Sequence, residues 1–105
     1  MESIALTEAV YYILLSLGEP MHGYGIMQNA EKLSGGRVRL AAGTLYGAIN
    51  TLLEKGWITA LPSEADSRKK EYIITSLGKK AVVAETERLK ELVANGEKIM
   101  GGWDK

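Results

Sequence analysis

Residues 42–75, AGTLYGAINTLLEKGWITALPSEADSRKKEYIIT, decide the fold. Leu45, Ile49, Leu52 and Leu53 recur at three- and four-residue spacing, which predicts an amphipathic helix from about Ala42 to Lys55. Gly56 stands where a helix ends in a left-handed residue. Trp57 to Leu61 then reads as a strand, Pro62 to Ser67 as turn chemistry, and Lys70 to Thr75 as the returning strand.

Working upstream, Thr7 followed by Glu8 predicts a helix start with a capping hydroxyl and a first-turn anion. That helix runs to about Leu17 and stops at Gly18. Its apolar residues, Ala9, Val10, Tyr11, Ile13, Leu14, Leu15 and Leu17, go nearly all the way round, so it needs cover on more than one side. A second subunit is the expected second cover. Another helix fits from His22 or Gly23 to Leu33, broken by Ser34-Gly35-Gly36, and the alternation of Arg37 to Leu40 suggests a short strand. Downstream, Thr75 or Ser76 caps a long helix that reaches at least Val93, and Trp103 unless Asn95-Gly96 end it. The expected fold is mainly α with a two-stranded hairpin (α+β): a winged helix-turn-helix over residues 1–75 and a C-terminal dimerisation helix over 76–105.

A chain of 105 residues, 46% hydrophobic and 25% charged, has room for one core. It has no cysteine, so it carries no disulfide framework or thiol nucleophile. Its longest apolar run, Ala9 to Leu17, is about half the ~20 residues of a bilayer span, and a soluble cytoplasmic protein is expected. Net charge is zero, but unevenly spread. Residues 1–31 hold four acidic groups and no cation. Residues 32–80 hold nine cations against Glu54, Glu64, Asp66 and Glu71, a net of +5, and residues 81–105 return −1. The segment with the helix and hairpin is therefore the basic part.

On the helix over Ala42 to Lys55, the apolar stripe leaves Gly43, Thr44, Gly47, Ala48, Thr51 and Lys55 outward, with Tyr46 and Asn50 at one flank. A rod with so small and polar a face fits a major groove about 12 Å wide. Asn50 suits bidentate readout of adenine, and Thr44 a phosphate or a thymine methyl. A plain solvent face accounts for the same residues equally well. Arg68-Lys69-Lys70 suits phosphate contact from the hairpin, sequence-independent and salt-sensitive, or else a solvated loop. Arg37 and Arg39 are weaker candidates for phosphate contact and fit ion-paired edge positions equally well. His22, the single histidine, fits a turn or a phosphate contact better than a metal or catalytic role. No group of residues assembles a nucleophile, base and oxyanion site, so no enzyme and no cofactor or metal is expected. In the last helix Val82, Leu89, Gly96 and Trp103 recur every seven residues, with Leu92 and Ile99 as partner series and Glu85 the exception. That seam, together with Tyr11 and Leu15 of the first helix, is the expected dimer interface.

These residues resemble the PadR family of bacterial transcriptional regulators. The resemblance rests on H-G-Y-G-I-M at His22–Met27, G-T-L-Y at Gly43–Tyr46, L-L-E-K-G-W-I at Leu52–Ile58, S-R-K-K-E-Y at Ser67–Tyr72 and T-x-x-G at Thr75–Gly78. It implies a homodimeric repressor that binds palindromic double-stranded DNA and is released by a small hydrophobic or phenolic effector. By the same resemblance Gly43, Thr44 and Tyr46 enter the major groove, Arg68, Lys69 and Lys70 touch the backbone, and His22 meets a phosphate. Many members carry arginine or lysine at the places of Asn50 and Thr51, so the hairpin matters more here. The short C-terminus is similar to that of a subfamily containing multidrug-responsive regulators, which makes Tyr11, Met100 and Trp103 the effector candidates. The rival expectations are a winged-helix protein-interaction module and a ligand sensor without operator readout.

Overall fold

The Thr7 hydroxyl accepts a hydrogen bond from the Val10 amide at 3.1 Å and starts helix α1, Glu8–Ser16. A short strand β1 (Met21–His22) leads directly into α2 (Gly23–Leu33), and α3 spans Ala42–Glu54. Strands β2 (Ile58–Ala60) and β3 (Glu71–Ile74) follow, then α4 (Ser76–Met100). The computed structural model describes residues 5–62 and 70–103. The arrangement is the winged helix-turn-helix that the sequence predicts, mainly α with a small antiparallel sheet.

Two features differ from expectation, and one left open is decided. The sheet has three strands and not two: its order is β1-β3-β2, with Met21 opposite Tyr72 and His22 opposite Glu71. Residues 37–40 form no strand, because their polar groups are engaged elsewhere. Arg37 is ion-paired with Glu8, Arg39 lies 3.8 Å from Glu31, and the Val38 amide donates to the Ser34 hydroxyl at 2.8 Å. Both arginines thus take the ion-paired alternative. Finally, α4 runs through Asn95-Gly96 without a break to Met100. Gly56 does turn left-handed at φ 74°, as a helix-ending glycine should.

The core gathers Ile13 and Leu14 of α1, Leu17 just after it, Ile26 of α2, Leu45, Ile49 and Leu52 of α3, and Ile58, Tyr72 and Ile74 of the sheet. Val82 is half-buried against this same core, so the N-terminal part of α4 packs on its own domain. Beyond it the helix projects: a radius of gyration of 16.2 Å exceeds the roughly 13 Å of a compact chain this long.

The turn from β3 into α4 is tightly knit. Thr75 caps α4 by accepting from the Gly78 amide at 3.1 Å, donates its hydroxyl to the Gly56 carbonyl at 2.6 Å, and donates its amide to the Trp57 carbonyl at 2.9 Å. Gly78 rides directly over that same carbonyl, where an added Cβ would overlap the oxygen.

Glu85, the exception in the heptad pattern, is buried. Its carboxylate takes a forked pair of hydrogen bonds from Arg88, both 2.7 Å, and one from the Leu6 amide at 3.1 Å. The Arg88 guanidinium and the Leu6 amide hold its pKa down to about 2 against the opposing effect of burial. Because the folded-state value lies below the ordinary 4.5, the contribution of Glu85 to stability is complete above about pH 4.5. It fades as pH falls toward 2. Glu85→Gln should therefore melt earlier than the parent at pH 6, with the gap closing by pH 2.5. Melts showing a constant gap across that window would assign the effect to packing alone.

Candidate functional site

The open face of α3 is the most distinctive surface of the winged domain. Gly43 and Gly47 lie one turn apart, and a Cβ at either would meet nothing within 4 Å. Inside a helix a glycine costs up to about 1 kcal/mol relative to alanine, so packing within the chain gives no reason for either. Thr44, Asn50 and Thr51 are exposed around them. The Thr51 hydroxyl donates to the Gly47 carbonyl at 3.2 Å, which occupies its proton. Among the described residues Asn50 has no partner for its amide, which faces outward. Glu54 falls on the same face one turn beyond Asn50 and puts an anion there.

The start of α3 also differs from those of the other helices. Ala41 offers no side-chain cap, whereas Thr7, His22 and Thr75 cap α1, α2 and α4. The first amides of α3 thus keep their hydrogen-bonding capacity and the positive end of the helix dipole.

Tyr46 joins α3 to the beginning of α2. Its phenol lies against Gly23, where any side chain would overlap it, and about half of the residue remains exposed. Tyr72 lies buried close by, its pKa raised by burial and, secondarily, by Tyr46. At the N-terminus of α2, the His22 Nδ1 accepts from the Gly25 amide at 3.2 Å. This bond needs a lone pair on Nδ1, so the neutral ring carries its proton on Nε2 and directs a donor away from the helix. The two motifs H-G and G-T-L-Y are therefore one assembly, and His22, Tyr46, Gly43 and Thr44 border it.

Other candidates stand apart. Lys55 is turned aside from Asn50, with its ammonium 5.3 Å from the centre of the Trp57 ring, a cation–π contact. Lys70 is exposed at the entry to β3, while Arg68 and Lys69 lie outside the described residues. Tyr11 is half-buried. The Thr86 hydroxyl donates to the Val82 carbonyl at 2.8 Å, so it accepts from the Tyr11 phenol, which is held within its own chain. Leu15, Leu89, Leu92, Ile99, Met100 and Trp103 are all exposed. Among the described residues no cluster of side chains could hold a metal ion, and no helix is long and apolar enough to cross a membrane.

The model of the transcriptional regulator PadR-like family matches residues 12–84, the span from α1 into α4. The chain belongs to the PadR-like family of transcriptional regulators. Among solved structures, RosR from H. salinarum is 28% identical, with a TM-score of 0.65 over 93% of this chain and 99% of that one. A PadR family transcriptional regulator from Eggerthella lenta is 23% identical, with a TM-score of 0.67 over 89% of this chain and 80% of that one. A protein from Streptococcus mutans is 21% identical and reaches a TM-score of 0.71 over 96% of this chain and 95% of that one. The last two likenesses speak for the fold alone. No curated protein matches the chain.

Membership gives the PadR-like motifs a physical reading. T-x-x-G is the cap and close approach at Thr75 and Gly78, and L-L-E-K-G-W-I is the end of α3 with its left-handed Gly56. Those are devices of folding. G-T-L-Y contributes exposed small positions, Gly43 and Thr44, that the fold does not need, and H-G-Y-G-I-M contributes the exposed His22 and Tyr24.

Proposed function

We propose that this PadR-like regulator is a homodimeric repressor that reads a palindromic operator in cytoplasmic DNA through α3. The observation that carries the reading is the open face of that helix. Gly43 and Gly47 let a helix approach base edges closely, and Asn50 presents an uncommitted amide one turn further on. The uncapped start of α3, the Nε2–H of His22 and the ammonium of Lys70 supply phosphate donors around it. Arg68 and Lys69 join this set by the family resemblance, whereas Lys55, above Trp57, contributes to the helix end instead.

The operator assay is direct. Fragments selected from genomic DNA should share an inverted repeat with half-sites about one helical turn apart, ~34 Å. Asn50→Ala should lose about tenfold on the operator and far less on random DNA, the size of one good base contact. Failure of a folded dimer to retard any DNA at low salt would instead favour a protein-interaction module on the same scaffold.

Dimerisation rests on α4. Its inner face is closed by its own domain as far as Glu85; from Leu89 onward the same face is open, with Leu92, Ile99, Met100 and Trp103 exposed. Leu15 adds a patch on α1, one turn from Tyr11. An apolar face that outruns its own domain is best covered by a second copy of the same helix. Leu92→Glu should make the chain monomeric at micromolar concentration in sedimentation experiments. Because half-sites then bind singly, operator affinity should fall by at least about 100-fold. An unaltered dimer would remove α4 from the interface. An effector at this seam, beside Met100 and Trp103, would act by shifting the two α4 helices; Tyr11, already bonded to Thr86, would contribute its ring and not its hydroxyl.

A further inference from the structure

Beside α3, bordered by Ala48, Thr51, Leu52 and Lys55, lies a pocket of about 250 Å³. Leu6 and Val10 form one wall, and Leu52 and Trp57 the other. An apolar cavity of about 150 Å³ holds a benzene ring, so this space takes a ring or short branched chain with a small substituent. Its polar side chains are few: Thr7, Lys55 and Thr51, whose proton goes to the Gly47 carbonyl. Lys55, held over the Trp57 ring, is the single charged residue on the wall among the described residues. No carboxylate lies within ion-pair distance of it among those residues. The Thr7 hydroxyl, whose oxygen already accepts from the Val10 amide, has its proton left to donate.

We propose that this pocket binds a small apolar molecule carrying a single negative charge, its body against Trp57 and Leu52 and its anion at Lys55 and Thr7. The site is separate from the α4 seam. It is also placed to matter: α3 forms one wall, while Leu6 on the other wall is bonded through its amide to Glu85 of α4. A filled pocket therefore bridges the groove-facing helix and a segment anchored to the helix proposed to dimerise. That regulatory consequence rests on the operator-binding reading, but the binding itself does not.

The chain has two tryptophans, so Trp103→Phe leaves Trp57 as the only emitter. In that background 3-phenylpropionate should change the emission saturably, and its neutral amide should bind at least about tenfold more weakly, the size of one charge-assisted hydrogen bond. Lys55→Met should erase that discrimination, with the fold checked by circular dichroism. Ala48→Met, which fills the pocket, should abolish the response to both compounds. Absence of any saturable change up to about 5 mM, a weak limit for a ligand of this size, would overturn the proposal. So would full discrimination retained by Lys55→Met. If the probe saturates Trp57 while the dimer binds no DNA, the operator reading fails and the pocket stands.

Discussion

Gly78→Ala should lower the stability of the chain by about 3 kcal/mol, the upper range for a methyl group forced into a packed site. The midpoint of thermal unfolding should fall by more than about 10 °C. The added Cβ would overlap the Trp57 carbonyl oxygen and lie 2.7 Å from Cγ1 of Ile74. Neither obstacle yields easily. The carbonyl accepts from the Thr75 amide at 2.9 Å and is fixed by it, and Ile74 belongs to the core. Relief would mean lifting α4 from β2, which breaks the Thr75 hydroxyl bond to Gly56 as well. Gly96→Ala is the matched control. Its Cβ would meet only the Met100 methyl at 4.0 Å, and a glycine in mid-helix gains up to about 1 kcal/mol on becoming alanine. Equal effects of the two substitutions in denaturant titrations would contradict the close approach at Gly78.

Gly47→Leu should act in the opposite sense on the fold and more severely on function. A Cβ at this position meets nothing, so the side chain adds helix propensity without a clash, and stability should rise by somewhat under 1 kcal/mol. Operator binding should nevertheless fall by about 100-fold or more. The leucine would hold α3 away from the base edges, and contacts from Thr44 and Asn50 that need ~3 Å would open together. At 1–3 kcal/mol for each good base contact, losing two suffices for that effect. Gly47→Ala should fall between the parent and the leucine variant. A variant that is more stable and still binds with parental affinity would place the DNA against another face.

How far these features were readable follows from how local their causes are. The helix over Ala42–Glu54, the left-handed Gly56 and the Thr75 cap depend on neighbours within a few residues, and each was legible. Strand β1 was not: two residues carry no periodicity, and they are extended because they pair with Glu71 and Tyr72 some fifty positions later. Residues 37–40 alternate like a strand, yet their partners are carboxylates on α1 and α2. The heptad series in α4 marks one helix face, but spacing alone cannot tell packing on a domain from packing on a second helix. Val82 serves the first purpose, while Leu89 and Leu92 remain open. Glu85, which looked like a fault in the seam, holds Leu6 and marks where the domain's own packing ends. At the candidate site the small face of α3 was legible, whereas the turn of Lys55 toward Trp57 was not, since it depends on the course of the chain after Gly56.

The pairing of β1 with β3 has one more consequence. In a free two-stranded hairpin the basic arm could swing independently of the helices. Here His22, opposite Glu71, ties the root of that arm to the first residue of α2, and the Ile74 amide donates at 2.8 Å to the Leu17 carbonyl at the end of α1. On the operator-binding reading, the distance from the proposed phosphate donor on His22 to the base of the arm is thus set before any DNA arrives. The winged domain would then work as a fixed calliper. It gives up little freedom on docking, and it should respond to the width between groove and flanking backbone as well as to the bases themselves.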